Sequence, residues 1–168
     1  MKTLCLVPVL ALIAVPTNAS EVGWRLSEDG LGPLKIGVDA SAAGQILNEP
    51  SPRAESPYVS DCFVVTNTPL RGISLTFISG ALARIDVASD AVSTTEGTKV
   101  GDLAYRVRMI YGRRIASGPR APSDAFEYDL NVRSKSAMSS LRFFIRAGEV
   151  TMIAAGTKRA FEFDGPCS

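Results

Sequence analysis

The spacing of apolar and polar positions changes period several times along the chain, and it does so in the same order twice. Leu103, Val107, Ile110 and Tyr111 recur at helical spacing, which predicts an amphipathic helix with Asp102 at its N-cap and Gly112 closing it. Leu141, Phe143 and Ile145 then stand two apart, Ala147-Gly148 supplies a turn, and Val150 to Ala154 resumes the strand pattern. An earlier, weaker version precedes them. Asp39 to Leu47 reads as a short helix capped by Asp39, with Ala43, Ile46 and Leu47 apolar and Pro50 beyond its end. Cys62 to Thr66 and Ile73 to Ile78 read as strands, and Ser79-Gly80 as a hairpin turn into Leu82 to Val87. Phe126, Tyr128, Leu130 and Val132 alternate with Glu127, Asp129 and Asn131 in a further strand.

The two versions are copies. Pro33 to Ala40 returns as Gly97 to Ala104, 64 residues later, and the series Ile73, Leu75, Phe77, Gly80, Leu82, Ile85 returns 68 later as Leu141, Phe143, Ile145, Gly148, Val150, Ile153. Such a period is too long for a solenoid and too short for two independent domains, so the halves are expected to share one core. The pattern predicts an α+β fold: two tandem helix-plus-three-strand repeats, about 31–93 and 95–156, forming one antiparallel sheet with two helices on one face. Trp24 and Leu26, before the turn Glu28-Asp29-Gly30, read as a strand leading into the first repeat. Pro50, Pro52 and Pro57 make the segment from Glu49 to Ser60 an extended loop, and Gly118 to Pro122 is its counterpart.

The start of the chain changes the picture of where it works. Lys2, the apolar run Leu4 to Val15 and Thr17-Asn18-Ala19 read as a signal peptide of residues 1–19, leaving 20–168 as a single domain. The run is too short to span a bilayer, Cys5 lies inside it rather than at a lipid-bearing cleavage point, and no other stretch is apolar enough to span one. The expected location is periplasmic or secreted. Of 18 basic residues, all but Lys2 remain to face 17 acidic ones, a balance that argues against a nucleic-acid partner. Cys62 and Cys167 are then the two remaining thiols, and in an exported chain the expectation is a structural disulfide tying the C-terminal tail to the first repeat. Two free buried thiols or a redox pair are the alternatives, and no Cys-x-x-Cys spacing favours the latter.

Chemistry narrows next. The chain has no histidine, which removes the usual general base and the commonest transition-metal ligand, and with them Ser-His-Asp, Cys-His and zinc hydrolase sites. No phosphate-binding loop, nucleophile elbow or EF-hand spacing is present, so no metal and no cofactor is expected. Glu127 and Asp129 share a strand face, the minimum for a carboxylate-based hydrolase, although the plainer reading is a solvated strand face. Lys99, Arg106, Arg108, Arg113, Arg114 and Arg120 make residues 99–120 locally basic, with Asp102 the only acid. Arg106, Arg113 and Arg114 are therefore candidate binding residues, against the plainer reading of a solvated helix face complementing the dipole. Trp24, Tyr58, Phe63 and Phe144 are the candidates for exposed aromatics, although for Phe63 and Phe144 a covered second sheet face is the plainer reading; Trp24, Tyr58 or the carboxylate strand would serve a sugar.

Gly101-Asp102-Leu103-Ala104-Tyr105-Arg106-Val107-Arg108-Met109-Ile110-Tyr111-Gly112, together with Gly80 to Val87, Glu96 to Gly101 and a mid-chain Cys matched by a terminal Gly-Pro-Cys, resembles a family of exported proteobacterial proteins, some of which carry the label lectin. The tandem organisation is similar to β-lactamase-inhibitor-like proteins and, per half, to small outer-membrane assembly lipoproteins. These resemblances imply binding through a concave sheet or its edge loops; they transfer no individual residue. The expectation is thus an exported, non-enzymatic binding protein whose partner is an envelope protein contacted through the proline-rich loop Pro50 to Tyr58 and the basic stretch, with a carbohydrate-binding module as the alternative and a carboxylate-based hydrolase as the remote one.

Overall fold

A computed structural model describes residues 23–52, 61–117, 127–134, 138–162 and 167. The predicted signal segment, the proline-rich contact loop beyond residue 52 with Tyr58, and Arg120 lie outside them. Three two-residue strands open the chain: β1 (Leu26–Ser27), β2 (Gly30–Leu31) and β3 (Leu34–Lys35). They pair antiparallel as a small sheet of their own. Helix α1 (Ala40–Leu47) follows, then β4 (Cys62–Val65), β5 (Ile73–Ile78) and β6 (Ala81–Val87). The second half contributes helix α2 (Ala104–Tyr111), β7 (Ile115–Ser117), β8 (Glu127–Val132), β9 (Ser139–Arg146) and β10 (Glu149–Thr157). The seven later strands form one antiparallel sheet in the order β4-β5-β6-β10-β9-β8-β7.

This architecture corrects the expected fold class. Among the described residues the protein is mostly β, with two sheets and two α-helices of eight residues each, not an α+β pair of helix-plus-three-strand repeats with two helices on one face of a single sheet. The leading strand pattern at Trp24 and Leu26 closes into the separate small sheet, and β7 gives the second half a strand without a counterpart among the described residues of the first. Two- and three-residue strands are too short to show a period, so the apolar pattern did not reveal them.

What does recur is smaller. The turn Ser79-Gly80 has φ 52° and 78°, and Ala147-Gly148 has φ 50° and 83°, so both hairpins close through two consecutive left-handed residues that suit the strand twist. The backbone before each helix docks onto its hairpin tip by the same three hydrogen bonds. Gly37 N–H donates to Leu82 O (2.7 Å), Leu82 N–H to Val38 O (2.8 Å) and Ala40 N–H to Gly80 O (3.2 Å). Gly101 N–H donates to Val150 O (2.8 Å), Val150 N–H to Asp102 O (2.9 Å) and Ala104 N–H to Gly148 O (2.8 Å). Gly37 (φ 95°) and Gly101 (φ 88°) sit at the bend in a region that disfavours any side chain, which explains the glycine shared by the two motifs.

The halves join where β6 meets β10, with Ile153 opposite Val87 and Ala155 opposite Ile85. Gly156 is required in this seam, since a Cβ there would meet Ala83 O at 2.9 Å. One face of the sheet supplies Leu75, Phe77, Ile85, Leu130, Phe143 and Ile153 to the main core, against Leu26, Leu31 and Leu34 of the small sheet and Ala43, Val107 and Tyr111 of the helices. Phe63 belongs to this core as well. It stands opposite Phe77 and stacks on it, centroids 5.0 Å apart, in keeping with the plainer reading of its parity as a covered position.

The other sheet face is polar and covered. Arg84 and Asp86 on β6 are 4% exposed and joined at 2.6 Å, and Arg84 lies over the rings of Phe144 and Phe161. Phe161 arrives from a single 3-10 turn, Arg159–Phe161, after β10; Ala160 of the same turn packs with Ile78 and Ala83. The Cys62–Cys167 disulfide, Cα atoms 5.6 Å apart, ties this tail back to the edge strand β4. The bridge closes a loop of 105 residues, for which the chain-entropy model gives about 4–5 kcal/mol. Replacing both cysteines by serine is expected to lower the unfolding free energy by an amount of that order, read by urea denaturation; a loss below about 1 kcal/mol would show that the tail is held by packing alone.

Candidate binding surface

Helix α2 buries Ala104, Val107 and Tyr111. Its remaining side chains face solvent, and they are large. Leu103 is 59% exposed, Tyr105 69%, Met109 65% and Ile110 37%. Tyr105 and Met109 are one turn apart at the centre of the outward face, with Arg106 and Arg108 beside them. The expected helical face of Leu103, Val107, Ile110 and Tyr111 is therefore corrected: the inward stripe runs Ala104, Val107, Tyr111, and Leu103 and Ile110 lie outside it. The capping expectation splits. Gly112 closes the helix, its N–H donating to Arg108 O, but Asp102 accepts from Lys99 N–H at 2.9 Å, and the N-cap position is held by Leu103 without a side-chain hydrogen bond.

Helix α1 is the internal control for this surface. It has the same length, docks by the same three bonds and buries the corresponding positions, Ala43 for Val107 and Leu47 for Tyr111. Where α2 has Tyr105 and Met109, α1 has Ser41 and Gln45, both exposed. Where α2 has Leu103, α1 has Asp39, whose carboxylate accepts from Ala42 N–H at 2.8 Å as a true N-cap. Leaving that position to leucine forgoes about 1 kcal/mol of capping. The fold thus builds the same unit with polar residues and a cap; α2 departs from it inside, with Tyr111 for Leu47 and exposed Arg108 for buried Gly44, and outside, with Tyr105 and Met109 for Ser41 and Gln45.

The inner end of α2 is locked by charge. Arg114, beyond the helix in the 3-10 turn Gly112–Arg114, reaches Glu28 at 3.0 Å and Glu96 at 3.7 Å, and donates to Arg133 O. Tyr111 donates its hydroxyl to Glu96 at 3.1 Å and lies 3.0 Å from Thr94 Oγ1. Burial above all pushes the Tyr111 phenol up, with the Glu96 charge acting in the same direction. Burial also acts to raise Glu96, but hydrogen bonds from Thr95 and Tyr111 and the Arg114 charge together outweigh it and hold the carboxyl below its ordinary value. Ser27, Glu28, Thr95, Glu96 and Arg114 line a half-open pocket of about 340 Å³ beside this network.

The sequence candidates are therefore separated. Arg106 and Arg113 stand on the exposed side of α2 and its following turn, whereas Arg114 is held between two carboxylates. Arg106 pairs with Asp102 at 3.3 Å and donates to Gly97 O at 3.4 Å, with its own side chain 55% exposed. Trp24 packs against the core with Gly32 beneath its ring and is no open platform, and Tyr58 lies outside the described residues. Glu127 and Asp129 do share a face, but the solvated-strand expectation fails for Asp129, which is 4% exposed and 3.8 Å from Arg142, while Glu127 pairs with Arg146. Phe144 stands opposite Asp129 on the covered face, beneath Arg84. Burial raises the neighbouring Asp86 despite the opposing charge and hydrogen bond of Arg84. Among the described residues no group of three or more His, Cys, Asp or Glu side chains is placed to hold a metal ion.

Tyr105 and Met109 are absent from the residues the sequence singles out, and Leu103 enters there only as an inward position. The signal was available, since setting Ser41 and Gln45 against Tyr105 and Met109 at the 64-residue offset marks the substitution. Glu28 as the partner of Arg114, 86 residues away, left no such trace.

No protein-family model and no curated protein matches the chain. The structure is similar to the 1.5 Å crystal structure of an extracellular protein containing a SCP domain from Bacillus anthracis str. Ames, with a TM-score of 0.50 and 12% sequence identity. The match covers 92% of this chain and 52% of that one, so the chain spans about half the length of its structural neighbour, and the likeness concerns the fold alone. Fold and surface together define a mostly-β, disulfide-bridged protein with a helix whose outward face is apolar and basic. No helix among the described residues is long and apolar enough to cross a membrane.

The Glu96 network carries a pH signature. A carboxyl held low by folding adds stability above its unfolded value, and that stability is lost as pH falls through the lowered value. The stability difference between wild type and Glu96→Gln is thus expected to be largest near neutrality and to shrink below about pH 4.5, in urea titrations across pH. A difference that stays constant through the acid range contradicts this role for Glu96.

Proposed function

We propose that the protein is an exported, non-enzymatic binding protein that engages a protein partner of the cell envelope through the outward face of α2. The observation that carries this reading is the contrast between the two equivalent helices: Ser41 and Gln45 on α1, Tyr105 and Met109 on α2, at positions that the fold treats identically. Exposed apolar side chains that the scaffold does not need, on a helix that also forgoes its cap, are what a contact surface requires. Tyr, Met and Arg are the residue types enriched in such contacts. The Cys62–Cys167 bridge and the extracellular structural neighbour are compatible with export.

The test returns α2 to the sequence of its sister helix. Oxidised protein is used as bait in an envelope extract of the source organism, with crosslinking and quantitative mass spectrometry, beside the double variant Tyr105→Ser, Met109→Gln. One protein is expected to be enriched by the wild type and reduced at least about tenfold by the variant, in keeping with two central anchors each contributing more than about 1 kcal/mol. Equal capture by both proteins, or no enriched protein, contradicts the reading. A companion variant separates fold from function: Leu103→Asp restores the cap and is expected to stabilise the protein by about 1 kcal/mol while weakening capture. Stabilisation without loss of capture removes Leu103 from the surface.

A further inference from the structure

The two helices differ in charge as well as in apolar character. Ala42, Gly44 and Glu49 of the first copy correspond to Arg106, Arg108 and Arg113 of the second, and all three arginines are exposed. No acidic residue occurs between Leu103 and Ser117, although the whole chain is nearly balanced at 18 basic and 17 acidic residues. The helix dipole accounts for Arg108 and Arg113, at and beyond the C-terminal end, but not for Arg106, which lies in the first turn of α2 and pairs there with Asp102 at the surface. Arg114 is engaged internally by Glu28 and Glu96, whereas Arg106, Arg108, which also lies over the Tyr128 ring, and Arg113 keep their side chains exposed.

We infer that the segment which docks on α2 is acidic, an apolar anchor flanked by carboxylates on a protein chain; this rests on α2 being the contact surface. The anchor covers Tyr105 and Met109, and the carboxylates face Arg106 and Arg108 on either side and Arg113 a turn beyond. Arginine suits this task because its planar fork bonds a carboxylate through two N–H groups. A lipid surface is the poorer fit. Three arginines supply only about 1 kcal/mol each against anionic headgroups, and neither Trp nor Phe stands on the helix to anchor it in the interface.

Two labelled amphipathic peptides with the same apolar positions, one carrying Glu and the other Lys at the flanking positions, serve as probes for the oxidised full chain in anisotropy titrations. The Glu peptide is expected to bind at least about tenfold more tightly, with the advantage falling as salt rises from about 0.05 to about 0.5 M. The triple variant Arg106→Glu, Arg108→Glu, Arg113→Glu is expected to reverse the preference. Equal binding, a preference for the Lys peptide, or binding of neither overturns the acidic-partner inference. Binding to phosphatidylglycerol vesicles but not to the Glu peptide overturns it in favour of a lipid surface. The parent reading fails separately: if Tyr105→Ser, Met109→Gln binds the Glu peptide as wild type does, α2 is not the contact surface at all.

Discussion

Three backbone hydrogen bonds, made twice, determine where each helix sits. A hairpin tip leaves its turn N–H and C=O groups pointing outward, and here Gly37 and Gly101 bend the preceding chain so that its own backbone groups meet them. The helices begin directly afterwards, with Ala40 and Ala104 N–H groups anchored on Gly80 and Gly148. An eight-residue helix is unstable by itself, so this anchorage and the burial of two or three side chains hold it in place. Because the anchorage is backbone to backbone, it constrains the outward side chains very little. The outward face of α2 is therefore open to selection for something other than folding.

Charge in this protein is largely spent on holding parts together. Arg84 with Asp86, and Arg142 beside Asp129, fill the middle of the second sheet face, where Phe161 lies across both arginines. Arg114 draws the β1–β2 turn and the Glu96 loop onto the end of α2. Arg106 and Arg113 remain on the outside, beside the exposed Tyr105 and Met109. The contrast between engaged and exposed arginines separates scaffold from surface more sharply than the basic run of residues 99–120 does.

The local motifs were legible in the sequence because each rests on neighbouring residues. The hairpins at Gly80 and Gly148, the Asp39 cap and the Gly112 stop all depend on turn chemistry within a few positions. The fold class was misread because the features that decide it lack periodicity: three strands of two residues near the start and a three-residue β7. Leu103 and Ile110 were assigned inward because an eight-residue helix gives an apolar stripe ambiguous edges; only the docking of Ala104 on Gly148 settles its rotation. Asp129 was read as solvated because alternation cannot show that a distant tail covers the polar face. Of the proposed contact surface the sequence shows an arginine cluster, while its apolar centre stands out only when the two helices are set side by side in the same structural frame.

The central claim is that Tyr105 and Met109 are covered in use although the fold leaves them bare. Hydroxyl-radical footprinting of the oxidised protein, with and without envelope extract and read residue by residue, measures this directly. Met138, 80% exposed and at the opposite end of the β9–β10 hairpin from the Gly148 tip, supplies the internal reference. Loss of labelling at Tyr105 and Met109 with Met138 unchanged is the predicted result. Unchanged labelling at Tyr105 and Met109, or equal loss at all three, would contradict it.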